Sequence, residues 1–344
     1  MDGLIELIDG GLGNSIQDPG RRGYRHIGVA VSGTLDRPLA ACANLLAGNH
    51  PDAASLEMRG IGPTLKVQHG PVRIAIAGQT RATLIRANGN TQPLAAWCST
   101  TLDASDVVKI GAIADGVAYL AVSGGIRVAP ELGSRATYQR AAIGGINGRA
   151  VQTGDTLPCS QPTQRDLREW RAEPLRHDDG PIRVIPGPQD EHFSTIAWFD
   201  FLNSAFVATP EMDRMGMRLS GPKLSHITPE AADIVSDGVT PGAIQVPANG
   251  QPIILLADCQ TVGGYPKIAT VITADLPRLA HWQPGQEIRF AAVDLTQAGQ
   301  LLAAQMQQLA AWQNGLQAFL PPGSLDESAL YNLNLVSGMV RAEP

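Results

Sequence analysis

Charge is scarce in this chain. Acidic and basic residues make up 17% of 344 positions, and 26 Lys+Arg against 32 Asp+Glu leave a formal net charge of −6. Without a cationic excess the chain is not built for nucleic acid, and the shortfall from the about 25% charged residues of ordinary domains points to surface covered by partners. No run approaches the ~18 uninterrupted apolar residues of a membrane span. Met1 leads into Asp2 and Glu6 rather than a basic stretch and an apolar run, so neither an export signal nor a membrane association is read and a cytoplasmic location is expected. Cys42, Cys98, Cys159 and Cys259 are too widely spaced for a CxxC pair, which fits reduced thiols.

Several chemical motifs are also missing. Gly221-Pro222-Lys223-Leu224-Ser225 has a lysine but not the glycine cradle of a phosphate loop, so ATP hydrolysis by this chain alone is not expected. Gly10-Gly11-Leu12-Gly13 runs into Pro19 rather than a helix, which argues against a dinucleotide site. Histidines 26, 50, 69, 177, 192, 226 and 281 form no close pairs along the chain, so no metal site is expected.

What is abundant is turn-forming sequence: 37 Gly and 25 Pro, spread throughout. Together with short β-branched or apolar runs at 4–8, 72–77, 82–85, 107–110, 117–122, 182–185, 253–257 and 288–293, this predicts a mainly β protein. Helices are expected at 38–47 behind Asp36, at 191–202, and in a tail where Leu302, Met306, Leu309, Trp312, Leu316 and Phe319 recur at helical spacing behind Thr296.

An internal echo organises the chain. Met58-Arg59-x-x-Gly62-Pro63-x-Leu65 returns as Met217-Arg218-x-x-Gly221-Pro222-x-Leu224 at an offset of 159, and Ala87-Asn88-Gly89 returns as Ala248-Asn249-Gly250 at an offset of 161. Duplication explains both, although Gly-Pro and Asn-Gly are common turn dipeptides. The expected division is a first β-barrel domain with its connecting segment at 1–165, a second barrel at 180–294 and a helical tail at 295–344. The segment 160–180 reads as a solvated connection. The halves differ in length: 53 positions separate Ile5 from Met58, but 35 separate Ile182 from Met217. The first-half surplus falls on the glycine-broken stretch 15–26, which is unlike a core strand, and the second half has its own surplus at 257–267. Two barrels meeting at a cleft fed by these loops are expected.

The second loop concentrates polar chemistry. Asp258, Gln260, Thr261, Tyr265 and Lys267 surround Gly263-Gly264. Two glycines permit positive φ and would let free amides face an oxyanion. A polar hairpin tip held by its own side chains is the competing reading. Arg214, Gln245 and Gln251 could add donors. Lys267, fixed behind Pro266, is expected to present its ammonium to developing negative charge, with little bearing on stability.

These segments carry a resemblance. Gly11-Leu12-Gly13-x-Ser15-Ile16-Gln17-Asp18-x-Gly20-Arg21-x-Gly23, Leu132-Gly133-Ser134-Arg135-x-Thr137-Tyr138, Asp213-Arg214-Met215-Gly216-x-Arg218-Leu219 and Pro241-Gly242-x-Ile244-Gln245-Val246-Pro247 with Gly250-Gln251-Pro252 resemble the biotin-dependent carboxyltransferase family. Its members include the C subunit of 5-oxoprolinase, the regulator KipA and the second half of the urea carboxylase carboxyltransferase domain. The resemblance implies two cyclophilin-like β-barrels. It also implies a catalytic set of Lys267, Asp258, Tyr265 and Arg214, and substrate contacts from Gln245, Gln251, Gln260, Gly263, Gly264, Asp18 and Arg21. Cys259, Val262 and Asp237 depart from the usual Arg, Thr and Glu, which puts the fine substrate contacts in doubt.

Three functions fit the resemblance. One is membership of an ATP-dependent 5-oxoprolinase complex that opens 5-oxoproline to glutamate, with ATP handled together with partners resembling its A and B (KipI-like) subunits and no cofactor held by this chain alone. Another is carboxyl transfer from carboxybiotin to a urea-like amide; no Met-Lys-Met biotinylation site occurs here, so the carrier would arrive on another protein. The third is non-catalytic regulation through a KipI-like partner.

Overall fold

The computed structural model describes residues 2–162 and 168–321. The first half folds as two sheets over one core. A six-stranded sheet runs in the order Thr156–Ser160, Asp2–Asp9, Thr64–His69, Val107–Ile113, Thr80–Ile85, Thr91–Leu94, and a five-stranded sheet in the order Ser15–Gln17, Ser55–Met58, Ala118–Val122, Val72–Ala77, Ser99–Leu102. In Asp2–Asp9 the buried residues alternate, with Ile5 and Leu7 facing the core, as a half-buried strand requires.

The five-stranded sheet is different because it lies between two cores. Val72–Ala77 and Ala118–Val122 are buried at every position. Ile74, Ile76, Leu120 and Val122 face the first-half core, whereas Ala75, Ala77, Tyr119 and Ala121 belong to a second core continuous with the other half. That double burial explains why Ala118–Val122 carries no charged residue and why Val72–Ala77 is apolar at every position but Arg73. Helix α1 (Arg37–Leu46) packs on the second face. Its N-cap is Asp36, whose side chain accepts from the Leu39 N–H at 2.9 Å, an arrangement that fills one of the orphan donors of the first turn.

The second half is one eight-stranded sheet, ordered Glu287–Ile288, Phe206–Met212, Gly216–Ser220, Ile253–Leu255, Ala243–Gln245, Lys267–Val271, Ile182–Pro186, Phe290–Ala292. Its two end strands are separated only by Arg289, so the sheet nearly closes on itself. Helix α2 (Thr195–Asn203) plugs it: Phe201 stacks on Phe290 at 4.5 Å between centroids and lies against Phe206 at 6.1 Å. The short helix α3 (Leu276–Leu279) follows, and then α4 (Leu295–Asn314). The protein is mainly β with a C-terminal helix.

Several expectations change. The tail helix starts behind Asp294, not Thr296, because Asp294 and Gln297 form a reciprocal capping box. Its apolar stripe is only partly covered: Leu309 and Trp312 pack against the core, Met306 stays exposed, and Gln317–Phe319 leaves the helix to pair as a strand with Glu169–Arg171. The remainder of the expected tail, 322–344, lies outside the described residues. The second helix begins at Thr195 behind Ser194 rather than at 191. Ser15–Gln17, read as unlike a core strand, is a fully buried strand whose Ile16 enters the core. Where it is described, the expected solvated connection is exposed at Arg168, Arg171, Asp178 and Asp179, but it is pinned at one point. Glu169 is 2% exposed, pairs its charge with Arg73, Nε to Oε2 at 3.2 Å, and accepts from Thr101 N at 2.6 Å and from Ser99 Oγ; Arg165 lies outside the described residues.

The repeated markers share burial more than path. Met58 and Met217 are both fully buried, as are Leu65 and Leu224. Leu65 sits in a strand, however, whereas Leu224 follows a turn closed by its own N–H on Gly250 O at 3.0 Å.

Candidate functional site

The two polar loops meet where the halves join. Arg214, from the turn after Phe206–Met212, is oriented by Asp213, whose Oδ1 accepts from Met215 N at 2.6 Å and Gly216 N at 3.2 Å. Its guanidinium forks onto Asp258, Nε to Oδ2 and Nη2 to Oδ1, both at 3.0 Å. It then crosses into the first half, to Glu57 through Nη1 and to Gly33 O at 2.6 Å through Nη2. Ser32 Oγ closes the ring on Asp258 Oδ1 at 2.6 Å. Burial disfavours the Arg214 charge, but Glu57 and Asp258 outweigh it and raise its pKa. Behind Glu57, the Tyr119 hydroxyl donates to Oε2 at 2.6 Å; burial, then the Glu57 charge, pushes that phenol well up. Arg214 and Asp258 thus commit their charges to each other and to the first half, which makes them an interlock.

The loop from the first half supplies a second layer. Asp18 is held by Gly20 N at 2.8 Å, Ser134 Oγ at 2.5 Å and Arg135 N at 2.6 Å, so it fixes the turn of the Leu132-Gly133-Ser134 motif. Arg21 is 1% exposed and donates through Nη2 to Ala136 O. Its Nε and Nη1 have no hydrogen-bond partner among the described residues. Burial lowers its pKa, with Asp18, Asp258 and Glu131 opposing. Arg25 reaches across to Val239 O and to Gln260 O at 3.1 Å.

An open groove of about 510 Å³ has Asp213, Met215, Gln245, Gln260 and Tyr265 on its walls; its lining residues all come from the second half, so the first-half loop 15–26 touches it only through Arg25 on Gln260 O. The two carboxamides touch weakly, Gln260 Nε2 to Gln245 Oε1 at 3.4 Å, and Gln245 Nε2 reaches Tyr265 O at 3.4 Å, so both keep hydrogen-bonding capacity for a ligand. A Cβ on Gly263 would come within 2.6 Å of Gln245 Nε2, so any larger residue there would have to displace the end of the Gln245 side chain. Neither Gly263 nor Gly264 has positive φ; the expected left-handed backbone is not what these glycines provide.

The other candidates are placed elsewhere. Lys267 is not an ammonium at a hairpin tip: it is 2% exposed, and its Nζ pairs with Asp237 Oδ2 at 3.0 Å. Gln189 Nε2 also reaches that oxygen at 3.2 Å. The bond from Lys267, followed by those from Gly238 N and Gln189, holds the Asp237 carboxyl below its usual range. Asp237, one of the departures from the family pattern, is therefore the partner of Lys267. Gln251 clamps both backbone groups of Gly221, N at 2.9 Å and O at 3.2 Å, which is a turn-holding role. Cys259 is buried against Val239, Ala243 and Leu255, and burial pushes its thiol up to about 11, so it is no thiolate nucleophile at neutral pH. Val262 is exposed.

Sequence reasoning missed Glu57, Ser32, Arg25 and Met215. Only Glu57 left a signal, as an acid set between Leu56 and Met58 in the short strand Ser55–Met58. It also missed a meeting of distant histidines: His177 and His281 lie 5.1 Å apart between ring centroids, on either side of Asp36.

Comparison with known proteins shows the family. The family described as carboxyltransferase domain, subdomain A and B, matches residues 27–292. The chain is 35% identical to the 5-oxoprolinase C subunit of Escherichia coli K12, over 89% of this chain and 96% of that protein. It is 34% identical to the Haemophilus influenzae protein of the same name, over 87% and 94%. Among solved structures, Kluyveromyces lactis urea carboxylase superposes with a TM-score of 0.80 at 27% identity, covering 90% of this chain and 29% of that one.

Proposed function

The chain belongs to the carboxyltransferase-domain family (subdomains A and B), and from that premise we propose that it is the C subunit of an ATP-dependent 5-oxoprolinase. In this reading it acts with partners resembling the A and B (KipI-like) subunits to open the lactam of 5-oxoproline to glutamate, and ATP is handled together with those partners. The observation that carries the reading is the second-half groove lined by Gln245 and Gln260, whose Gln260 backbone is held from the first half by Arg25. A lactam presents one N–H and one C=O side by side, and a carboxamide presents the complementary pair. Near-full-length similarity to proteins named as the C subunit of 5-oxoprolinase supports the same choice.

Each residue has a place in this mechanism. The Arg214–Asp258–Glu57 interlock holds the two loops in register, so the groove is preorganised rather than assembled on binding. Gln245, Gln260 and the Tyr265 hydroxyl bind and orient the amide. Arg21, with two unengaged N–H groups, is the donor best suited to a substrate carboxylate or an oxyanion once the loop around it shifts.

Carboxyl transfer from carboxybiotin to a urea-like amide is the alternative, favoured by the likeness to urea carboxylase. Reconstitution separates the two. The chain is combined with its A-like and B-like companions, and glutamate release from 5-oxoproline is followed with and without ATP. ATP-dependent release that requires this chain supports the proposal. Transfer of the carboxyl group from free carboxybiotin to urea, with no glutamate released, overturns it.

A further inference from the structure

We propose that Asp36, His177 and His281 form a binding site for a divalent transition metal of the Zn2+ class, tying together the first half, the connecting segment and the second half.

The argument starts from hydrogen-bond inventory. Asp36 is fully buried. Its Oδ1 is occupied by the Leu39 N–H of the helix cap, while its Oδ2 lies 2.7 Å from His177 Nε2 and 2.8 Å from His281 Nε2. His281 Nδ1 in turn lies 2.9 Å from the backbone oxygen of Asp115. A carbonyl only accepts, so Nδ1 must carry the hydrogen there. A neutral imidazole has one N–H, and the Nε2 lone pair then points straight at a carboxylate oxygen that also only accepts. Two lone pairs cannot face each other at that distance unless a cation sits between them. The cation is either a second proton, which the 2.7–2.8 Å separations accommodate as they stand, or a metal ion, for which the surroundings supply ligands.

A ligating histidine usually gives its other ring N–H to a backbone carbonyl or carboxylate, which fixes the tautomer and raises the basicity of the ligand nitrogen. His281 does this with Asp115, and the other oxygen of Asp36 is fixed in the same way by Leu39. The donor set is two imidazole nitrogens and one carboxylate, which suits Zn2+ and its neighbours rather than Mg2+ or Ca2+. The three ligand atoms lie within 4.8 Å of one another, so a small outward movement of the two rings admits an ion at the usual ~2.0–2.2 Å. On the open side, a groove of about 760 Å³ reaches His177 and His281 between Trp97, Leu175 and Asp115. It leaves a coordination position for water or a ligand, as three-ligand zinc sites do.

Metal binding to the full-length chain tests this without any assay of turnover. The protein is stripped with a chelator, then titrated separately with Zn2+ and with Co2+, whose visible absorption reports the coordination. The expected result is one equivalent bound per chain and a raised unfolding midpoint. Affinity should fall in His177→Ala and in His281→Gln by at least the ~10–100-fold that loss of even an outer partner costs, while His26→Ala leaves it unchanged. Circular dichroism establishes that the variants are folded, and His281→Gln guards against collapse because its amide can still bond to Asp115. If stripped wild-type protein takes up neither ion, the cation is a proton and the proposal falls. Uptake that persists in a folded His177→Ala/His281→Gln double variant would overturn it equally.

Discussion

Arg214, largely covered, and Lys267, buried, are both basic residues paired with carboxylates, yet they answer to different neighbours. Arg214 bridges two halves and is forked, so Arg214→Ala leaves Glu57 and Asp258 as uncompensated buried charges. A loss of about 3–5 kcal/mol is expected, readable as a lower urea midpoint. Arg214→Lys should recover only part of it, since an ammonium cannot fork onto both oxygens of Asp258. Gln260→Ala is the opposite kind of change. It should leave stability within about 0.5 kcal/mol and lower turnover of the reconstituted complex by raising KM for the lactam; an unchanged KM would remove Gln260 from the substrate site. Lys267→Ala should lower the unfolding midpoint, because a buried stem and its pair with Asp237 are lost together. The pH dependence of that pair follows from its sign. The Asp237 pKa is depressed in the fold, so the contribution is fully present above the ordinary carboxylate pKa of about 3.9 and is lost as pH falls through the lower folded value. Asp237→Asn should flatten the acid limb of stability against pH below about 4, and an identical limb in the variant would show that the pair contributes nothing.

At the scale of elements, the connecting segment proves to be a strap. Glu169–Arg171 pairs with Gln317–Phe319 from the C-terminal side of α4. Glu169 is buried against Arg73, and the Trp312 indole donates to Glu173 O at 2.7 Å. Helix α4 therefore rests on the segment that links the halves. Glu169→Ala removes the acceptor of Ser99 Oγ and Thr101 N and a carboxylate paired with Arg73, and a loss of about 3 kcal/mol is expected. Faster proteolytic cutting around 168–175 should accompany it. Unchanged proteolysis alongside lost stability would place the effect in the five-stranded sheet instead.

For the whole molecule, the five-stranded sheet is a wall shared by two cores, and the second core runs without a break from Ala75 and Tyr119 through α1 to Phe206 and Ile268. Residues 1–165 expressed alone would expose that face, including Leu39, Ala43 and Leu46. Calorimetry of the full chain should accordingly show one cooperative transition rather than two. Two resolved transitions would mean that the halves are thermodynamically separate despite the common core.

Local sequence determined the strands and their class. Short, mostly apolar segments such as Val72–Ala77 and Ile182–Pro186, set off by Gly and Pro, announce themselves because strand formation is set by side-chain pattern and turn chemistry within a few residues. The cap at Asp36 was legible for the same reason, and so was the polar loop around Gly263, whose Gln260 and Tyr265 do line a groove. What only the tertiary structure decided is where each polar group is spent. Lys267 and Asp237 are 30 positions apart, Arg214 and Glu57 are 157 apart, and His281 and Asp36 are 245 apart. No spacing rule reaches that far. Burial decides the partner, because a charge taken out of water must find an opposite charge or a donor wherever the fold supplies one. A sequence can show that such a residue is present, but the packing of two sheets and a barrel determines whether it meets substrate, solvent or another side chain.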